Sequence, residues 1–263
     1  MDSLAVDHLI RKLDSCSELT RSERIAMRKA EPEIRRFGAH EELVREGAPA
    51  GGVSFVIEGI TCRYKLLRDG RRQIVAYSLP GDMCDLRIFI LERADHSIGS
   101  VSSGAVAILP RTVLQNLTRK CPGVLHSLWC VSLAEEAITR EWLVNVGHRT
   151  ALERAAHLIC EYFYRMQAVG LVRDASCEFP FTQAELADSL ALSPVHVNRV
   201  LMQLRRAELI RFESHTLHVL DARELQSIAG FSPHYLQVAH RLRGSAEIAR
   251  ALAENPRQPA RRR

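Results

Sequence analysis

The chain has 263 residues, of which 46% are hydrophobic and 25% charged. That composition belongs to a soluble globular protein, with room for one large domain or two modest ones. Its net charge of +5 permits nucleic-acid binding without requiring it, and no apolar run is long enough to span a bilayer.

Met1 to His8 lacks the basic region and apolar stretch of a signal peptide, so a cytoplasmic location is expected. The first thirty-odd residues read as helical, with Ser22 as a cap and Ile25 and Met27 opening an apolar side. From Phe37 to Leu109 the pattern changes to short β-rich runs at Val53–Ile57, Ile60–Leu67, Gln73–Leu79 and Val106–Leu109. Turn signals separate them at Gly47-Ala48-Pro49, Glu58-Gly59, Asp69-Gly70 and Pro80-Gly81-Asp82. Asp-Gly between two strand-like runs marks a hairpin, and strands this short and closely spaced suggest an antiparallel roll or jelly roll.

Thr112 to Lys120 reads as a short helix. Pro122 opens a longer one reaching about Val146, roughly 37 Å at 1.5 Å per residue, which is more than a small roll needs as cover. Leu125, Trp129, Leu133, Ile138 and Trp142 recur along it at helical spacing, and two tryptophans on one helix suit a helix–helix interface. A homodimer through this helix is expected, with Gly147 as a hinge. The alternative is a helix that only covers its own roll. Ala151–Phe163 is a further amphipathic helix.

The most informative stretch is Phe181–Arg205, which reads as two short helices joined by a tight turn. Thr182 and Glu185 have capping-box spacing, and Leu186, Ala187 and Leu190 recur at helical spacing. Ser193 caps the second helix and Pro194 fits its first turn. Val197, Val200, Leu201 and Leu204 form its buried stripe, leaving Val195, Asn198, Arg199 and Met202 on another face beside His196 and Gln203. The turn places Ala191 where a left-handed glycine is usual. Leu209–Phe212 and Thr216–Leu220 then read as a two-stranded wing.

Seven cysteines, at positions 16, 62, 84, 121, 130, 160 and 177, form no Cys-x-x-Cys pair. A disulfide framework, a zinc site and an iron–sulfur cluster are not expected from that spacing, and most of the thiols should be small buried apolar groups. No P-loop, Gly-x-Ser-x-Gly, His-Glu-x-x-His or dinucleotide fingerprint occurs, so no enzyme class is supported.

The order of parts resembles the Crp/Fnr superfamily of bacterial transcription regulators. The matching segments are Gly52–Gly59, Asp69–Val75, Pro80–Asp82, Glu141–Gly147, Ala151–His157, Thr182–Ala187 and Val195–Arg199. The resemblance implies an α+β fold in four parts. Residues 1–111 would form a sensor roll of the cyclic-nucleotide-binding type with its N-terminal helices, and 112–147 a dimerisation helix region. Residues 148–230 would form a winged helix-turn-helix, followed by a C-terminal extension at 231–263 ending in a disordered basic tail, Pro256–Arg263. It also implies a homodimer on a near-palindromic DNA site, in contact with RNA polymerase. A recognition helix at 194–206 would enter the major groove. Val195, Asn198 and Arg199 are the expected base readers, and Thr182, Gln183, Ser193 and His196 the expected phosphate contacts.

Several residues depart from the cofactor-binding members. Leu86 stands where a ribose-binding acid is expected and His96-Ser97 where a phosphate-binding Arg-Ser pair is expected, so cyclic AMP is not expected to bind. Only Cys16 lies near the iron–sulfur cysteines of oxygen sensors. Cys84 and His96 have the right chemistry for haem but are isolated in the sequence. The alternative function is a ligand sensor whose winged helix contacts protein; Arg199, Arg205, Arg206 and Arg211 favour DNA.

Overall fold

The computed structural model describes residues 2–16, 18–49, 51–86, 91 and 93–236. Two helices come first, α1 (Asp2–Cys16) and α2 (Arg21–Arg28). The cap of α2 is Thr20, not Ser22: its hydroxyl accepts from the Glu23 amide while Glu23 reaches back to the Thr20 amide. The Thr20-x-x-Glu23 spacing carries this capping box. Met27 is buried, whereas Ile25 is exposed.

Seven strands follow: β1 (Glu33–Phe37), β2 (Glu42–Val44), β3 (Gly52–Glu58), β4 (Thr61–Leu66), β5 (Arg72–Ser78), β6 (Ser97–Ser100) and β7 (Gly104–Pro110). They form two antiparallel sheets, ordered β1-β7-β3 and β2-β6-β4-β5. Phe37, Val56, Ile98 and Val106 pack together between them, closing the expected roll. The Asp69-Gly70 hairpin joins β4 to β5, and Gly70 adopts φ +85°, a conformation open to residues without a Cβ. At Gly104 a Cβ would lie 2.1 Å from the Glu58 carbonyl oxygen, so the β3–β7 crossing admits only glycine.

The short helix is α3 (Arg111–Lys120), and the long one is α4 (Pro122–His148), about 40 Å over its 27 residues. It runs two residues past the expected end, so Gly147 lies within it. Helices α1 to α4 cover the outer face of the β1-β7-β3 sheet through Leu9, Leu13, Phe55, Leu109, Leu114 and Leu128.

Next come α5 (Ala151–Ala168), β8 (Ser176–Glu178), α6 (Gln183–Leu190), α7 (Pro194–Arg206), β9 (Ile210–Glu213), β10 (Thr216–Val219) and α8 (Ala222–Ala229). The wing has three strands, ordered β8-β10-β9, one more than the sequence pattern suggests, because β8 is only 3 residues long. A 3-10 turn, Pro233–Leu236, packs Leu236 into the core, so the extension begins as a docked segment. The expected tail at Pro256–Arg263 lies outside the described residues. Of the described thiols, Cys62, Cys84, Cys121, Cys160 and Cys177 are buried and Cys130 is half-buried. No helix among the described residues is long and apolar enough to cross a membrane.

Candidate nucleic-acid interface

Local chemistry builds the helix pair. The Thr182 hydroxyl accepts from the Glu185 amide at 3.2 Å, and the Thr182 amide donates to the Glu185 carboxylate at 2.8 Å. Leu186, Ala187 and Leu190 anchor α6 in the core. Ala191 then turns the chain at φ 53°, ψ 45°, the left-handed conformation the turn demands, although a Cβ there costs strain. Ser193 accepts from the His196 amide at 3.3 Å and Pro194 takes the first turn of α7.

Val197, Val200 and Leu204 are buried and fix the rotation of α7. The opposite face is open. Val195 is 81% exposed, and Asn198, Arg199, Met202 and Gln203 are exposed beside it. The Arg199 guanidinium makes no hydrogen bond or ion pair with any described residue, so its donors face solvent. Thr182, Gln183 and Ser193 are exposed and His196 is half-buried. The two hydroxyls already serve as caps, which leaves Gln183 the least committed of these four. At the wing tip, Ser214 and His215 both adopt positive φ, 45° and 62°, as a two-residue type I′ hairpin requires.

An aromatic cluster supports the pair. Tyr162 stands edge-on to Phe179 and Phe181 at centroid distances of 5.4 and 5.0 Å. Beneath it lies Glu161, 1% exposed, whose carboxylate accepts from Trp142 Nε1 at 3.1 Å, Arg165 at 3.2 Å and the Tyr235 hydroxyl at 2.8 Å. Arg165 also donates to Asp82 at 2.6 Å, and Lys12 closes on the same carboxylate from α1 at 2.6 Å. Burial alone raises the Asp82 carboxyl, but Lys12 and Arg165 outweigh it and hold it well below the usual carboxylate range. The roll thereby meets the winged helix, and Tyr77 of β5 donates to the Glu185 carbonyl of α6 at 3.2 Å.

These contacts revise the expected dimer face. Trp142 is 7% exposed and packed against Tyr77 of its own chain, and Ile138 is half-buried against the same core. Neither presents a free surface. Leu125, Trp129 and Leu133 do, with Trp129 60% exposed, and Leu143 (70%) and Val144 join them. The expected face did not include the last two; Glu136 and Arg140, paired at 2.5 Å, interrupt the stripe before them.

In the roll, Leu86, which stands where the resemblance expects an acid, is buried among the apolar residues of the α1–α4 layer. His96 is buried with its ring between two carboxylates, Nδ1 2.8 Å from Asp95 and Nε2 3.8 Å from Asp85. Burial pushes the imidazole below its ordinary value, against the pull of Asp85. Burial also pushes the Cys84 thiol up to about 12.

Comparison with known proteins agrees with this architecture. Residues 34–121 match the cyclic nucleotide-binding domain family and residues 153–228 the Crp-like helix-turn-helix domain family. A probable transcriptional activator of Rhizobium leguminosarum bv. viciae is 30% identical over 183 residues, covering 68% of this chain and 74% of that protein. The transcriptional activatory protein AadR of Rhodopseudomonas palustris is 28% identical over 84% of this chain and 90% of its own length. Among solved structures, FixK2 from Bradyrhizobium japonicum superimposes with a TM-score of 0.70 at 25% identity, covering 76% of this chain and 98% of that one.

Proposed function

The chain belongs to the Crp/Fnr family of DNA-binding transcription regulators, and on that premise we propose that it reads a near-palindromic operator as a homodimer. Helix α7 enters the major groove. Arg199 reads a guanine through two parallel donors, Asn198 an adenine, and Val195 packs on a thymine methyl. Thr182, Gln183, Ser193 and His196 line the phosphates and set the register. The observation that carries this reading is the open face of α7, where Val195, Asn198 and Arg199 stand exposed above three buried anchors.

The dimer forms along α4 through Leu125, Trp129, Leu133, Leu143 and Val144. The protein works in the cytoplasm, contacts RNA polymerase from the bound site and has no catalytic role. Its signal is neither a cyclic nucleotide, an iron–sulfur cluster nor haem. Leu86, the carboxylate-flanked His96 and the buried Cys84 support that part of the reading.

Selection of bound sites from random duplex DNA tests the function, followed by affinity measurements across a salt series. Enrichment of a two-fold symmetric site, bound more weakly as salt rises, is the expected result. Sedimentation of the Leu133→Glu/Leu143→Glu variant tests the interface. A variant that stays dimeric and keeps tight operator binding would move the interface elsewhere, and failure to enrich any sequence would shift the winged helix to protein recognition.

A further inference from the structure

Charge is unevenly divided along this chain. The winged helix with its docked turn, Ala151 to Leu236, holds eight arginines, no lysine and ten carboxylates, a net −2. Residues 237–263 hold seven arginines and two glutamates, a net +5. The whole chain also carries +5, so residues 1–236 are neutral and the entire surplus follows Leu236.

Several arginines of the winged helix are engaged within the fold. Arg165 is held by Asp82 and Glu161, Arg154 donates to the Arg149 and Leu190 carbonyls, and Arg211 pairs with Glu213 at 3.1 Å. Duplex DNA carries one negative charge per about 1.7 Å, and cations that displace its counterions supply nearly all non-specific affinity and much of the specific affinity. A module of net −2 gains little from that source on its own.

The structure fixes where the basic residues begin. Tyr235 donates to Glu161 at 2.8 Å and stacks on His157, both on α5, and Leu236 is buried. Helix α7 packs on the same α5, whose 18 residues span about 27 Å. The 27 residues from Gln237 to Arg263 reach at most about 90 Å when fully extended. They therefore start on the helix that carries α7, with length enough to pass beyond it.

We propose that residues 237–263 act as a polycationic arm that binds phosphates of the duplex flanking the operator. Guanidinium groups take phosphate oxygens through charge-assisted bonds and read no sequence. The arm supplies the positive charge that the winged helix lacks, and α7 keeps the base reading. A lipid headgroup offers a similar anion, but the shortfall lies in the module that meets DNA. The proposal rests on reading the chain as a DNA-binding regulator.

The test compares the full chain with the Arg257→Gln/Arg261→Gln/Arg262→Gln/Arg263→Gln variant and with the matching lysine variant. Circular dichroism and urea midpoints check the fold of each. Affinity is measured across a salt series on a selected operator with long scrambled flanks, on a scrambled duplex of equal length and on the operator trimmed of its flanks. The glutamine variant should bind both long duplexes at least about tenfold more weakly at low salt, with the salt slope reduced by about 2–4 units. Its preference for the operator should be kept, its loss should shrink on the trimmed duplex, and the lysine variant should match the wild type. An unchanged slope, or a lysine variant as weak as the glutamine one, overturns the arm. Tighter binding by the glutamine variant also overturns it, by showing that the arm covers carboxylates of its own chain. An equal loss on the trimmed operator overturns the flanking placement. If DNA binding is unchanged while the glutamine variant no longer sediments with phosphatidylglycerol vesicles, the arm belongs to a lipid surface and the proposal falls. A wild type that binds no duplex under any condition overturns the proposed function and, with it, the arm.

Discussion

In the winged helix the interior is largely apolar and aromatic, built on Tyr162, Phe179, Phe181, Leu190, Val197 and Leu204. Its most buried carboxylate, Glu161, accepts from three separate side chains. In the roll, Thr61, Arg63, Asp85, His96 and Ser97 are buried among a smaller set of apolar groups. A buried polar group is costly unless it is fully met by partners, and charged ones cost most. The winged helix thus meets the requirement for presenting an exposed helix with a fixed rotation. The roll keeps ionisable groups inside, where protons or ions change its energy. One half presents a fixed surface, and the other carries more of its polar side chains inside.

Arg165→Ala attacks the point where the halves meet and should have the largest effect. It strips the shared cation from buried Glu161 and from Asp82, whose side chain is 15% exposed, and should cost about 3–5 kcal/mol in urea unfolding. A loss below about 1 kcal/mol would mean that the contact is incidental and that the two interiors are independent.

Acid should find the winged helix through His157 on α5. Burial first, then Arg149, lowers its pKa to about 4 against the opposing pull of Glu141. The unfolded chain takes up this proton near pH 6.5 and the folded chain only near pH 4. Stability is therefore lost as pH falls from about 6.5 to 4, by up to about 3 kcal/mol for this group. Urea midpoints at pH 7 and pH 4.5 should differ less in His157→Gln than in the wild type. An equal difference would place the acid-sensitive groups in the roll.

Arg199→Ala should leave stability unchanged, since the side chain touches no described partner. It should lower discrimination at one guanine per half-site by about 1–3 kcal/mol, with non-specific affinity and its salt slope nearly kept. An equal fall on selected and scrambled duplexes would make it a phosphate contact.

Thr182→Ala should have the smallest effect, about 1 kcal/mol of stability through the lost cap. A variant of wild-type stability that binds DNA more weakly would give the hydroxyl to phosphate rather than to α6.

Where the physics is local, the chain can be read directly. Both caps of the helix pair, the left-handed Ala191, the Asp69-Gly70 hairpin and the apolar stripe of α7 depend on residues within a turn or two of each other. The capping box at Thr20 was equally readable from Thr-x-x-Glu. Trp142 was not, because its inward orientation depends on Glu161, 19 residues onward on another helix. Exposed Leu143 and tethered Ile138 differ by contacts that only the assembled fold supplies. Strands β1, β2, β6 and β8 hold 3–5 residues each and offer too few alternations to register. The convergence of Asp85 on Asp95 and His96 follows from strand pairing at long range, which residue spacing does not encode.

The string from Lys12 through Asp82, Arg165 and Glu161 to Trp142 and Tyr235 bears on how the molecule comes apart. It joins α1, the roll, α5, α4 and the C-terminal turn by direct side-chain bonds. A chain that reads as separate modules is thereby expected to open as a single cooperative unit. Amides in β5 and in α5 should exchange with solvent at a common opening free energy, and heating should give one transition in which neither half survives the loss of the other.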